Sequence, residues 1–247
     1  MNILKKIKKP IFNFYKTKKN ITKTPEDAYN IWAEIYDDEQ DNLVLHYDNM
    51  ILKELISKIQ LQDKIVFDYG CGTGRIWTSL LDKNPAKIIG CDISQKMLYK
   101  LKEKYPRAEI YQSKDLNLSF LDDNTCDIII STLVIAHISD IEKMFSGWER
   151  ILKDKSDIII TDFHPELLAK GGVRTFKNGM NVITIENYLH SLNIIKGILS
   201  HFRFKVLNLI EKKIDEKVKH FYEKQNALKI YEKFYNTPFI YGMHLSR

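Results

Sequence analysis

Between residues 64 and 162 short apolar runs alternate with helical stretches, and this alternation constrains the fold more than any other feature of the sequence. The apolar runs cover residues 65–67, 87–91, 108–111, 127–131 and 157–161. Two of them contain the continuous runs Ile128-Ile129-Ile130 and Ile158-Ile159-Ile160. Such runs are typical of strands that are buried on both faces of a sheet. The alternation therefore predicts a doubly wound α/β domain with a mostly parallel sheet.

Further elements are predicted on both sides of this region. Before it, we predict one helix at residues 24–37, N-capped by Thr24, and a second at 43–59. After it, Asn178-Gly179 between two strand-like runs predicts a β-hairpin within residues 174–185. The other predicted elements are helices at 192–202 and 216–235 and strands at 204–210 and 239–245. We therefore expect one domain over residues 24–247, with N-terminal helices and an insertion at about 164–190 that carries the hairpin.

Positive charge is concentrated at the N-terminus. The chain has 247 residues and a formal net charge of +6, yet residues 1–23 contain eight lysines and no acidic residue. Residues 24–247 thus carry 30 basic and 32 acidic residues, which gives no reason to expect nucleic-acid binding by the body. The basic segment, residues 1–20, fits an amphipathic helix on an anionic membrane surface. A solvated tail, or a helix packed on its own domain, fits equally well.

Cysteine usage and hydropathy indicate the compartment. Cys71, Cys91 and Cys126 form no C-x-x-C pair, so we expect neither a disulfide framework nor a zinc site. The histidines show no ligand spacing either, and we predict no metal. No apolar run reaches the ~18 residues of a spanning helix, and the N-terminus lacks a secretory apolar region. We predict a cytoplasmic protein, with peripheral membrane contact as the open alternative.

A glycine-rich segment follows the first strand and opens the first helix: Asp68-Tyr69-Gly70-Cys71-Gly72-Thr73-Gly74-Arg75. Doubly wound sheets bind ligands at this end of their strands. The dinucleotide fingerprint G-x-G-x-x-G does not fit, because Arg75 stands where the third glycine is needed. Asp68, two residues before the first glycine, instead suits a ligand that carries an ammonium group and no phosphate.

This segment resembles motif I of the class I S-adenosylmethionine-dependent methyltransferases, in particular their small-molecule (type 11-like) branch. The chain keeps the family's order in the segments Tyr29–Asp37, Ile89–Ser94, Gln112–Asp127, Ser131–His137 and Glu149–Lys153. It departs from the family pattern at Ser119, Cys126 and Asp154-Lys155, where a proline, a phenylalanine and a Pro-Gly pair are usual. The resemblance spans roughly residues 29–162.

The resemblance implies a Rossmann-like methyltransferase fold of seven strands, with the last strand antiparallel. It also implies S-adenosyl-L-methionine as methyl donor, with S-adenosyl-L-homocysteine as product. The implied donor-binding residues are Tyr36, Asp68, Gly70, Cys71, Gly72, Gly74, Asp92, Ile93, Asp115, Leu116 and Thr132. Among them, Asp92 would accept from the ribose hydroxyls and Ile93 would lie on the adenine. Asp115 would accept from the adenine amine, and the Leu116 N–H would donate to the ring.

Most of these residues also have a purely structural interpretation. The alternatives are that Asp92 caps the next helix, that Asp115 faces solvent and that Tyr36 belongs to the core. Arg75 fits either the methionine carboxylate or an ion pair on the protein.

Methyl transfer from a sulfonium needs a general base only if the acceptor must lose a proton. His137, after the fourth strand, and His164, after the fifth, are the candidates, because a histidine pKa lies near working pH. We expect a small-molecule acceptor methylated on O, N or C. The alternatives are a nucleic-acid or protein methyltransferase and a non-catalytic donor-binding module recruited to a membrane. A nucleic-acid methyltransferase is disfavoured because Ser131-Thr132-Leu133-Val134 replaces the N/D-P-P-Y/F motif of amino-methylating nucleic-acid enzymes.

Overall fold

A computed structural model describes residues 20–39 and 42–247. Of the basic segment, residues 1–20, only Asn20 lies within the described residues. The strands are β1 (Asn20–Lys23), β2 (Ile65–Tyr69), β3 (Lys87–Asp92), β4 (Glu109–Gln112), β5 (Cys126–Thr132), β6 (Leu152–Phe163), β7 (Thr175–Asn178), β8 (Asn181–Ile185), β9 (Lys205–Lys213) and β10 (Pro238–Ser246). The helices are α1 (Pro25–Trp32), α2 (Leu43–Ile56), α3 (Trp77–Leu81), α4 (Gln95–Lys104), α5 (Ile141–Ile151), α6 (Pro165–Ala169), α7 (Leu192–His201), α8 (Lys219–Lys224) and α9 (Leu228–Phe234).

Seven strands form the main sheet in the order β4-β3-β2-β5-β6-β10-β9. The first five are parallel, and β10 runs antiparallel to both of its neighbours, β6 and β9. The predicted doubly wound, mostly parallel sheet with an antiparallel last strand is therefore confirmed. The strand order reverses between β2 and β5, which makes the carboxyl ends of these two strands the topological switch point where such folds bind ligands.

The sheet is buried on both faces, as its apolar runs predict. Successive side chains of a strand point to opposite faces. Accordingly Ile128 and Ile130 pack into one apolar cluster and Ile129 into the other. The same alternation divides β6, where Ile159 joins the first cluster and its neighbour Ile158 the second.

A second, three-stranded sheet has the order β1-β8-β7. The predicted hairpin is present as β7 and β8, and Gly179 adopts a φ of 59° in its turn, a conformation that favours glycine. The sequence analysis predicts no strand at β1, which pairs in parallel with β8. The hairpin is attached to α1 by the rings of Phe176 and Trp32, which stack with their centroids 4.4 Å apart.

Three predicted helices differ from those observed. The prediction of one helix over residues 216–235 is wrong: a 3-10 turn at residues 216–218 is followed by the separate helices α8 and α9. Asn226 between them has a left-handed φ of 53°, and the Ala227 N–H donates to the Tyr222 carbonyl at 2.8 Å, which closes the end of α8. The helices predicted at 24–37 and 43–59 end earlier, at Trp32 and Ile56.

Candidate active site

A cavity lies at the switch point, against the carboxyl ends of β2, β3 and β5 and beneath α1. Seven of the predicted site residues line it: Tyr36, Gly70, Gly72, Asp92, Ile93, Thr132 and His137. Its accessible volume is about 90 Å³. Pro25 and Tyr29 of α1 form the roof of the cavity.

The glycine turn forms one wall of this cavity. Gly70, Gly72 and Gly74 all have positive φ values, of 78°, 51° and 71°, which L-residues with a side chain rarely adopt. A Cβ atom at Gly70 would lie 2.2 Å from Val134 Cγ2, whereas a Cβ at Gly72 would meet no protein atom within 4 Å. Gly72 therefore leaves open a cradle that a side chain would fill.

Asp92 presents a carboxylate whose position is fixed by two backbone amides. The Gly72 N–H donates to Asp92 Oδ2 at 2.9 Å, and the Ser94 N–H donates to Oδ1 at 2.8 Å. Burial raises the pKa of Asp92 to about 6, although these amides oppose the shift. The carboxylate is thus ionised at neutral pH. Each oxygen keeps a lone pair for a hydroxyl donor, which suits the two hydroxyls of a ribose.

Asp68 lies at the end of β2, behind the glycine turn. Its Oδ2 accepts a hydrogen bond from Trp77 Nε1 at 2.7 Å, while its Oδ1 is buried without a partner. Burial raises the pKa of this carboxyl to about 7. An orphaned acceptor of this kind fits a cationic ligand such as an ammonium group. The open cradle at Gly72, Asp92 and this oxygen together match the nucleoside and amino-acid parts of S-adenosylmethionine.

His137 and Tyr29 form a hydrogen-bonded pair on the opposite wall. His137 Nδ1 lies 2.9 Å from the Glu186 carbonyl, which only accepts, so Nδ1 carries the proton. His137 Nε2 is therefore the acceptor for the Tyr29 hydroxyl at 3.1 Å. Burial lowers the pKa of His137 to about 4 and raises that of Tyr29. Both groups are neutral at pH 7, and both line the cavity.

Five predicted donor-binding residues do not line this cavity: Asp68, Cys71, Gly74, Asp115 and Leu116. The Asp115 carboxylate accepts from the Asn117 N–H at 2.9 Å and from the Ser119 N–H and hydroxyl at 2.8 and 2.6 Å. These bonds lower the pKa of Asp115 and organise its own loop. Asp68 lies behind the glycine turn and not on the surface of the cavity.

His164 lies away from this cavity. Its Nδ1 accepts from the Glu166 N–H at 3.2 Å and so caps α6. Its Nε2 therefore carries the proton and donates to Glu211 Oε1 at 2.7 Å. The structure does not bring His164 to His137, and both partners of its ring lie outside this cavity.

Arg75 pairs with a buried acid. Its guanidinium donates to Asp48, which is fully buried, and to Asn49. Of the two interpretations of Arg75, the structure shows the ion pair.

A second cavity of about 1080 Å³ lies at the C-terminal end of α1, bounded by α2, the hairpin, α8 and α9. Arg174, just before β7, lines it together with Trp32 and Phe163. The sequence analysis names neither Arg174 nor Tyr29 as a site residue. Tyr29 begins the segment Tyr29–Asp37 that resembles the family, which is a usable signal, whereas nothing local distinguishes Arg174 from other basic residues near the hairpin.

Within residues 20–39 and 42–247, no group of three or more His, Cys, Asp or Glu residues is arranged to hold a metal ion. None of the helices in these ranges is both long enough and apolar enough to cross a membrane.

Comparison with known proteins places this geometry in a family. The family described as "Methyltransferase domain" matches residues 67–160. An uncharacterized methyltransferase of Emericella nidulans is 27% identical over 223 residues, which cover 74% of this chain and 76% of that protein. A ubiquinone biosynthesis O-methyltransferase of Coxiella burnetii is 25% identical over 164 residues, 65% of each chain, so the match spans just under two thirds of that relative.

A solved structure with the same fold is magnesium protoporphyrin IX methyltransferase from Synechocystis with bound S-adenosylhomocysteine. It superposes with a TM-score of 0.61 at 20% identity and covers 90% of this chain and 97% of that one. The matched domain contains the glycine turn and Asp92, and the cavity lies at the topological switch point, where open α/β sheets bind ligands. Residues 67–160 therefore match the methyltransferase-domain family, and the chain has the fold of S-adenosylmethionine-dependent methyltransferases.

Proposed function

We propose that the protein transfers the methyl group of S-adenosylmethionine to a small-molecule acceptor, which occupies the second cavity. The Coxiella and Synechocystis proteins are named for ubiquinone biosynthesis and for magnesium protoporphyrin IX, both small-molecule chemistry. The observation that carries the proposal is the position of the two cavities, which have the segment of residues 29–36 as a common wall. Tyr29 and Tyr36 line the first, and Trp32 of the same segment lines the second.

For the donor, we propose that Asp92 accepts from the ribose hydroxyls. We propose that Asp68 Oδ1, which is buried behind the cavity wall, accepts from the ammonium group after a shift of the glycine turn that exposes it. Ile93 is proposed to lie on the adenine, since it lines the cavity directly after Asp92. The proposed contacts of Asp115 and Leu116 with the adenine require a change in their loop, because Asp115 is held by its own neighbours. Ser113, which does line the cavity, is an additional candidate at that end.

The donor supplies a methyl group that is already activated on a sulfonium. The remaining tasks of the protein are to orient the acceptor, to exclude water and to hold any proton that the acceptor releases. We propose that α1 excludes water, since its buried Trp32 separates the two cavities. The lone pair of His137 Nε2, which holds the Tyr29 hydroxyl, is the proposed proton acceptor. Its low pKa makes it a weak base, which suits an acceptor that releases its proton late or has none to release.

The experiment uses donor labelled on its methyl group, purified protein and cell extract separated into low-molecular-mass, nucleic-acid and protein fractions. We expect label in the low-molecular-mass fraction only. Label confined to nucleic acid or protein would instead establish one of the alternative methyltransferase classes. Binding of S-adenosylhomocysteine without label in any fraction would favour a non-catalytic module. The Asp92→Ala variant serves as the control for background transfer.

We also propose that residues 1–19 direct the protein to anionic membrane surfaces. The support is the separation of charge along the chain: these residues contain seven lysines and no acidic residue. Each lysine near such a surface contributes roughly 1 kcal/mol. This membrane-targeting proposal is independent of the catalytic proposal.

A further inference from the structure

Arg174 is a buried cation without an acidic partner. Its side chain is 2% exposed, and its Nε and Nη1 atoms have no hydrogen-bond partner. Its Nη2 donates only to the Tyr36 hydroxyl, at 3.4 Å. No Asp or Glu carboxylate of the described chain lies within ion-pair distance of it. An arrangement of this kind is unfavourable unless something else compensates the charge, because guanidinium groups are strongly solvated in water.

Aromatic rings provide part of the compensation. The guanidinium carbon lies 5.0 Å from the ring centroid of Trp32 and 5.8 Å from those of Tyr29 and Phe163. These cation–π contacts use the faces of the group and leave its N–H donors unused. The donors that a planar anion would need are therefore still free.

Neighbouring acids do not occupy these donors. Asp162 acts on Arg174 electrostatically, but its two oxygens accept from the Ala136 N–H at 2.8 Å and the Phe163 N–H at 2.7 Å. Glu39, on the wall of the second cavity, accepts from Trp32 Nε1 at 2.7 Å and from Asn42 Nδ2 at 2.6 Å. Both carboxylates are thus engaged elsewhere.

The position of Arg174 connects the two cavities. It lines the second cavity beside Trp32 and Phe163, and it contacts Tyr29 and Tyr36, which line the first. An anion bound by the guanidinium from the second cavity would lie near the residues that border the donor. The apolar walls around it favour an anion that is attached to an apolar body.

We infer that Arg174 binds a carboxylate of the methyl acceptor, so that the acceptors are apolar carboxylic acids. The inference rests on the proposed function, since it assigns the second cavity to the acceptor. The methionine carboxylate of the donor has the same chemistry and is the competing source of the anion. The acceptor is favoured because Arg174 lines the second cavity and is absent from the lining of the first.

The first test needs no variant. Wild-type protein saturated with S-adenosylhomocysteine is titrated with butyrate, phenylacetate and octanoate, and in parallel with the primary amide of each, by calorimetry. We expect at least one acid to bind about tenfold or more tighter than its amide, because only the acid forms charge-assisted bonds with the guanidinium. Equal affinity within every acid–amide pair, including no binding of either, overturns the inference.

The second test uses Arg174→Gln and Arg174→Lys, with Arg107→Gln as the matched control, since Arg107 is exposed. We expect Arg174→Gln to abolish the preference for the acid and Arg174→Lys to retain part of it. Arg107→Gln should behave as wild type, and S-adenosylhomocysteine affinity should change less than twofold in all three. A loss of S-adenosylhomocysteine affinity in Arg174→Gln with the acid preference intact would assign the arginine to the donor and overturn the inference.

The two proposals fail in different ways. If wild-type protein binds no S-adenosylhomocysteine, the donor site itself is wrong. If it binds S-adenosylhomocysteine but shows no preference for acids, only the assignment of Arg174 is wrong. The comparison of acids with amides on wild-type protein also remains decisive should Arg174→Gln fail to fold.

Discussion

At the residue scale, Asp92 is the side chain whose removal should affect donor binding most. Its carboxylate is held by two amides on the cavity wall, so it needs no reorganisation to accept from a ribose. We expect Asp92→Ala to weaken S-adenosylhomocysteine binding by about 1.5–3 kcal/mol, which is the usual contribution of hydrogen bonds to a charged group. Calorimetry measures the change directly. Asp122→Ala, at an exposed position, is the control, and an Asp92→Ala affinity within twofold of wild type rejects the ribose role.

The titration of the site residues predicts that pH affects donor binding and turnover differently. The pKa values of Asp68 and Asp92 are raised to about 7 and about 6, so both carboxylates gain protons as the pH falls from 8 to 5. Protonated Asp68 no longer attracts an ammonium group, and the KM for S-adenosylmethionine should therefore rise as the pH falls. His137, with its pKa lowered to about 4, stays neutral throughout this range.

We therefore expect kcat, measured at saturating donor, to show no inflection near pH 6.5, the ordinary pKa of a histidine. The Asp68→Asn variant separates the two effects, because it removes the titrating group and should flatten the KM profile between pH 6 and 8. An inflection of kcat near pH 6.5 that disappears in His137→Ala would show that His137 titrates with an ordinary pKa and would contradict its neutrality in this range.

At the element scale, the three-stranded sheet supports the roof of the donor cavity. Phe176 of β7 is buried and stacks on Trp32 of α1, so its ring connects the hairpin to the roof. Phe176→Ala removes this contact, and truncations of this kind cost about 3–5 kcal/mol when the site cannot collapse. We expect faster amide hydrogen exchange in β1, α1, β7 and β8, with unchanged exchange in β5 and β6. The exposed neighbour Thr175→Ala should leave all of these unchanged.

If Phe176→Ala accelerates exchange throughout the main sheet, the roof and the core unfold together rather than separately. Bound S-adenosylhomocysteine should slow exchange in α1 of the wild type, because ligands that bind the folded state suppress its local opening. The absence of such protection would contradict the placement of the donor beneath α1.

The elements that the sequence predicts well are those with a local signal. Every strand of the main sheet follows from an apolar run, and Thr24, a predicted cap, does accept from the Asp27 N–H at 3.3 Å. β1 could not be predicted in this way, since its four residues become a strand only by pairing with β8, about 160 residues later. The break at Asn226 likewise depends on one left-handed residue that the apolar periodicity of residues 216–235 hides.

The site shows the same division between local and long-range information. The glycine turn and Asp92 have a fixed spacing from the ends of β2 and β3, so the alternation alone brings them to one edge of the sheet. His164 has the same relation to β6, yet Glu211, a residue of β9, engages its ring. Arg174 carries no local signal, because its isolation from acids is a property of the folded surroundings.

At the scale of the whole molecule, charge separates a basic N-terminal segment from a body of nearly balanced charge. Deletion of residues 2–19 tests the membrane-targeting proposal. The deletion must stop before Asn20, because Asn20 pairs with Val182 in the three-stranded sheet. The deletion removes seven lysines. We expect it to abolish sedimentation with vesicles of anionic phospholipid at 0.15 M salt, an ionic strength that screens charges beyond about 8 Å.

The same variant should bind S-adenosylhomocysteine with unchanged affinity, because the lining of the donor cavity begins at Pro25 among the residues that the structure describes. Replacing the seven lysines by glutamine in the full-length chain separates charge from apolar content, since Ile3, Leu4, Ile7 and Phe12 remain. Loss of vesicle binding in both variants would assign the attraction to charge. Vesicle binding retained by the glutamine variant alone would assign the attraction to the apolar residues. Vesicle binding retained by both variants would locate the membrane contact on the body and reject the membrane-targeting proposal.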